Sequence, residues 1–208
     1  MIKSINGCWC NSEHKSLYPI LKKWVNIHSL FAERENGEGL WGDTERSSLG
    51  ILAGAIWKSN NYCFEEYHFE KRNMNRDGKI AKGKYKGRID IWFSAGKSEY
   101  IGEAKRCYPK ASLKNAIKVN LEINKTISQA ISEVRQIRAT KTEKIAIVFV
   151  NPYFVIGGDN FTVQEFVNKI TTEIPCDAIA WVFPKISRDK DIYNNAKFPG
   201  QFLIIKAN

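Results

Sequence analysis

Gly87-Arg88-Ile89-Asp90-Ile91-Trp92-Phe93 and Tyr100-Ile101-Gly102-Glu103-Ala104-Lys105 read as two β-strands joined through Ser94-Ala95-Gly96-Lys97-Ser98. Side chains alternate along a strand, so Asp90 and Trp92 share one face of the first strand while Glu103 and Lys105 share one face of the second. Ile89, Ile91 and Phe93 are expected on the opposite face. Paired as a hairpin, the strands bring two carboxylates and an ammonium to one small patch.

A solvated hairpin face could carry the same three residues. The neighbours Tyr100, Ile101, Gly102 and Ala104 are apolar or small, and Asp90 sits between isoleucines, so both strands look central. Buried acids need compensation. Two hard oxygen ligands a few ångströms apart hold Mg²⁺ while leaving coordination positions for water and a phosphate, and a nearby lysine can steady the charge on the phosphate or help to deprotonate water. Arginine would serve less well as a base because it keeps its proton.

The stretch from Gly87 to Lys105 resembles the core motif of the PD-(D/E)xK nuclease superfamily, in which an aspartate on one strand is followed by Glu-x-Lys on the next. Ile89 stands where the motif's name has proline. The resemblance implies an α/β restriction-endonuclease-like fold, an αβββαβ core with a mixed central sheet flanked by helices. It also implies a Mg²⁺-dependent nuclease, with Mn²⁺ able to substitute. Asp90, Glu103 and the carbonyl of Ala104 would be metal ligands, and Lys105 the catalytic lysine.

An upstream helix should supply a further acid. Glu45 opens a segment in which Leu49, Leu52 and Ile56 fall at helical spacing, and Glu45 continues that stripe. It is read either as a ligand or supporting acid, or as a charge that merely favours a helix N-terminus. Glu65 and Glu66 are the alternatives, as acids on the preceding strand.

Charge adds a partner. The chain has 32 Lys and Arg against 22 acids, a net charge of +10. Between Lys71 and Arg88 lie Lys71, Arg72, Arg76, Lys79, Lys82, Lys84, Lys86 and Arg88 against the single acid Asp77. This basic stretch, read as a loop, runs straight into Asp90. Lys79, Lys82, Lys84, Lys86 and Arg88 are therefore candidate contacts to a nucleic acid, expected to be DNA, with Tyr85 and Trp92 as possible stacking partners.

At 208 residues and 43% hydrophobic, the chain is expected to form one domain: an N-terminal helical extension (1–43), a catalytic core (44–151) and a C-terminal αββ completion (152–208). The expected core order is helix, three strands, helix, strand. The five cysteines are scattered without paired Cys-x-x-Cys spacing, which argues against structural zinc. Cys8-Trp9-Cys10 with His14 is read as incidental. There is no Gly-rich phosphate loop, export signal or membrane span in this reading, so a cytoplasmic protein is expected, with a homodimer or partner subunit left open. Two other readings stand beside the deoxyribonuclease: a catalytically silent nuclease-fold subunit that binds DNA or protein, and an RNA-cutting or structure-specific nuclease of defence or repair.

Overall fold

The computed structural model describes residues 4–41, 44–74, 80–139, 141–188 and 192–208; of residues 73, 74, 80–82, 84 and 192 it describes the backbone alone. The chain begins with strand β1 (Ile5–Cys10), helix α1 (Tyr18–Arg34) and helix α2 (Glu45–Trp57). Three strands follow, β2 (Cys63–Met74), β3 (Ile80–Ala95) and β4 (Ser98–Cys107), then α3 (Ala116–Val134) and β5 (Glu143–Val150). The remainder is β6 (Phe154–Val155), α4 (Val163–Glu173), β7 (Ala178–Phe183), β8 (Ile192–Tyr193), β9 (Ala196–Lys197) and β10 (Gln201–Ala207). From Glu45 to Val150 the order is helix, three strands, helix, strand, as the sequence reading expects.

Local chemistry sets the helix starts. Thr44 caps α2, its Oγ1 accepting from Ser47 N at 3.2 Å, which leaves Glu45 in the first turn and buries Leu49, Leu52 and Ile56. Pro19 sits in the first turn of α1, where its missing N–H costs nothing. Thr162 and Glu165 form a reciprocal capping box on α4.

Seven strands form a mixed α/β sheet in the order β1-β7-β10-β5-β4-β3-β2, and β6, β9 and β8 form a small separate sheet. Among the described strand pairs of this sheet only β4–β5 is parallel, with Glu103 opposite Ala146 and Lys105 opposite Val148. Leu21, Trp24, Leu52 and Ile56 from α1 and α2 pack with Ile91, Phe93, Tyr100 and Ile147 in one cluster. Val119, Ile123 and Ala130 from α3 and Phe166 and Ile170 from α4 pack with Val148, Ile179 and Phe202 in another. Helices thus cover both faces. Each fully buried Leu, Ile or Phe contributes about 1.5–3 kcal/mol relative to exposure. No helix among the described residues is long and apolar enough to cross a membrane.

Two expectations are corrected here. Residues 1–43 are not purely a helical extension, because β1 pairs antiparallel with β7 and closes one edge of the main sheet. Gly7 makes that pairing feasible, since a Cβ there would stand 2.3 Å from Trp181 Cζ2. The basic stretch is not an open loop over its described residues, 71–74 and 80–88, either; residues 75–79, with Arg76 and Lys79, lie outside the described residues. It extends β2 and β3 as a long antiparallel arm, with Glu70 opposite Lys86, Lys71 opposite Tyr85 and Arg72 opposite Lys84. The outer edge of β2 is partly covered by the segment after α3, through Arg72 N→Gln136 O at 2.7 Å and Arg138 N→Glu70 O at 3.0 Å.

Candidate active site at a divergence of two strands

The site begins where the sheet loses regularity. The β3–β4 register runs from Ala95↔Ser98 to Ile91↔Gly102 and stops short of Asp90. Asp90 Oδ2 instead accepts from Ala104 N at 2.7 Å, a side chain standing in for a ladder bond and fixing one carboxylate oxygen beside β4. On the other side, β2 pairs Glu65 with Ile91 and Tyr67 with Ile89, while Glu66 between them adopts a left-handed backbone with φ 53°. A non-glycine residue there costs roughly 1 kcal/mol.

The face presented by the strands changes at this point. Ile91 and Phe93 pack with α1 and α2, but Ile89 packs with Ile101, Val134 and Ile137 on the α3 side. The expectation that Ile89, Ile91 and Phe93 share a face is therefore corrected: the ladder is interrupted at Glu66 and Asp90, where Glu66 is left-handed, and the two-residue alternation breaks there although the β2–β3 register is the same on both sides. Beyond this interruption, Lys71 on β2 reaches Glu103 on β4.

Glu103 is 3% exposed, and Lys71 Nζ lies 2.6 Å from its Oε1. Burial pushes the Glu103 carboxyl up to about 7, with Asp90 adding to the rise and the Lys71 bond opposing it. Lys105 Nζ lies 2.7 Å from Glu133 Oε2, on α3. Burial pulls the Lys105 ammonium down, but the bond to Glu133 and the charges of Glu45 and Asp90 more than compensate, so its pKa lies above the ordinary lysine value. That favours a permanently charged Lys105 over the base role raised from sequence. Glu45, at the start of α2, is within electrostatic range of Lys105, Asp90, Glu133 and Arg106, and its pKa is raised chiefly by burial.

Asp90, Glu103 and Lys105 are thus brought together where the β3–β4 pairing stops, with Glu45 facing the same field. The two alternatives to Glu45 go elsewhere. Glu65 Oε2 lies 4.0 Å from where a Gly50 Cβ would be, over α2, and Glu66 Oε2 pairs with Arg88 Nη1 at 3.2 Å. Lys86 and Arg88 are exposed on the arm beside the site. Lys79 and the side chains of Lys82 and Lys84 lie outside the described residues. His68, Phe69, Glu70, Tyr85 and Lys86 line an open cleft along the arm.

The donor chemistry fits a hard divalent cation: two carboxylates, Asp90 and Glu103, and the carbonyl of Ala104. Among the described residues no three His, Cys, Asp or Glu side chains gather closely enough to hold a metal ion, so the fit rests on two carboxylates and a backbone oxygen, with Glu45 outside that group. A buried Glu103 already neutralised by an ammonium is the observation that supports it, because the position demands a cation.

Lys71 and Glu133 are the site residues that sequence reading missed. Lys71 continues the alternation of Tyr67 and Phe69 on a partly buried strand face, and Glu133 lies between Ala130 and Val134 at the edge of the buried stripe of α3. Both signals were present, but each was outweighed by the surrounding charge. No protein-family model, curated protein or solved structure matches this chain, and the reading of the site rests on its own residues.

Proposed function

We propose that the protein is a divalent-metal-dependent nuclease with a restriction-endonuclease-like core and DNA as its substrate. The observation that carries this reading is the convergence of Asp90, Glu103 and a charged Lys105 where β3 parts from β4, next to a basic arm. Mg²⁺ or Mn²⁺ held by Asp90, Glu103 and the Ala104 carbonyl would supply Lewis acidity toward a phosphate oxygen and a lowered pKa for bound water. Asp90 is oriented for that duty by Ala104 N. Lys105 keeps its proton and offers a fixed positive charge to the phosphate as negative charge builds. Lys86 and Arg88 hold neighbouring phosphates, and the exposed rings of Phe64, Tyr67 and Tyr85 on the same arm offer stacking surface. All five cysteines are free thiols, which suits a reducing, cytoplasmic setting.

One observation favours a second reading. Lys71–Glu103 and Lys105–Glu133 are complete ion pairs, so the charges compensate one another as they would in a silent nuclease-fold subunit that binds nucleic acid or protein. A cleavage assay separates the two. Purified protein is incubated with supercoiled, linear and single-stranded DNA and with RNA, in Mg²⁺, Mn²⁺ or Ca²⁺. Cleavage of DNA in Mg²⁺ or Mn²⁺ but not Ca²⁺ is expected, and Asp90→Asn or Lys105→Ala should slow it by on the order of a hundredfold or more, with DNA affinity little changed. Binding without cleavage in any metal would favour the silent subunit, and cleavage of RNA alone would reassign the substrate.

A further inference from the structure

We propose that Lys71 holds the cation position at Glu103 in the metal-free protein and that a divalent ion must displace it. The inference rests on the metal-site reading given above.

The geometry is that of a built pair. Lys71 Nζ and Glu103 Oε1 are 2.6 Å apart, with their side chains 13% and 4% exposed. The route from β2 to Glu103 is kept open by Gly87 on the paired strand, where a Cβ would stand 2.8 Å from Lys71 Cδ and 3.2 Å from its Cγ. The bridge between Lys71 and Ile137 and the bond from Arg72 N to Gln136 O hold that part of β2 against the segment after α3. Beyond the left-handed Glu66, the lysine lies on the face that carries Glu103.

Charge accounts for the occupancy. Glu45, Asp90, Glu103 and Glu133 share the field of the site with Lys71 and Lys105, and Lys105 is engaged by Glu133. Without Lys71, Glu103 would be left as a buried carboxyl beside Asp90 with no cation bonded to it. A lysine is suited to an exchangeable role, being a compact single charge on a flexible stem, whereas an arginine would grip the carboxylate through two parallel bonds. A divalent ion carries twice the charge and sits closer, at about 2.0–2.1 Å for Mg²⁺ on oxygen, so it competes for the same carboxylate.

The test is calorimetric titration of Mn²⁺ into the full chain without nucleic acid. Lys71→Met should bind Mn²⁺ about tenfold or more tightly than the unaltered protein, the effect of removing one unit charge near a divalent ion even at water-like screening. Lys71→Arg, which keeps the charge and strengthens the grip on Glu103, should bind about tenfold more weakly. Equal or weaker binding by a folded Lys71→Met would mean that the lysine orients Glu103 for the metal, and the proposal would fall while the metal site stood. If Lys71→Met does not fold without metal, Lys71→Arg decides, and unchanged or tighter binding by it overturns the proposal. Absence of Mn²⁺ binding by the unaltered protein would sink the metal-site reading and this inference with it.

Discussion

His28 shows at the scale of one residue how packing sets chemistry away from the site. It is fully buried on α1, its ring 4.3 Å from Trp24 and 5.9 Å from Trp41, and neither ring nitrogen has a hydrogen-bond partner among the described residues. Burial lowers its pKa from 6.5 to about 3. The unfolded chain therefore takes up a proton near pH 6.5 that the folded protein refuses, and the stability present above that pH falls as pH drops toward 3. Each pH unit in this window costs up to about 1.4 kcal/mol. In urea titrations at pH 7, 5 and 4, His28→Phe should lose less stability between the first and last than the unaltered protein. An identical pH dependence would show that His28 is not the acid-sensitive group.

At the scale of the element, the β2–β3 arm joins two duties that the sequence presents as one run of charge. Its inner face delivers Lys71 to Glu103, and its exposed residues include Lys86 and Arg88. The Arg88–Glu66 pair is largely solvent-exposed, and such pairs hold a side chain weakly, so a phosphate can compete for Arg88. Replacing Lys86 and Arg88 by alanine should weaken binding at every DNA sequence alike and flatten the slope of log affinity against log salt by about two. The fold should survive, because both side chains project from the sheet. An unchanged salt slope in a folded variant would take the nucleic acid off this arm.

Across the whole molecule, one buried polar network ties the site to distant parts of the chain. The Trp41 carbonyl accepts from Arg106 Nη2 at 2.7 Å and from Asn151 Nδ2, Asn151 Oδ1 accepts from Gln201 Nε2 at 3.0 Å, and Gln201 Nε2 also reaches Ser48 Oγ at 3.3 Å. Trp41 Nε1 donates to Phe198 O at 2.7 Å. The ends of β4, β5 and β10 are thereby joined to the start of α2, which carries Glu45. Asn151→Leu would leave the Gln201 amide without one acceptor and the Trp41 carbonyl without one donor. A loss on the order of 2–4 kcal/mol is expected in urea unfolding, from the cost of unpaired buried polar groups. A loss below about 1 kcal/mol would mean that the network is replaceable, for instance by water.

Local periodicity was enough for much of this protein. The alternation along β4 that carries Glu103, the stripe Leu49, Leu52 and Ile56 behind Glu45, and the order of elements from Glu45 to Val150 were legible because each depends on neighbours a few residues away. What tertiary structure alone decided involves residues far apart in sequence. Gly7 gives no strand signal by itself, and the strand over Ile5–Cys10 pairs along the edge that β7 offers, with Trp181 lying across Gly7. Lys71 reads as one more basic residue until the fold sets it on Glu103, 32 positions away. Periodicity records which face a residue prefers, but an interruption of the ladder such as that at Glu66 and Asp90 changes the face with the register intact, and the alternating pattern of the segment carries no sign of it.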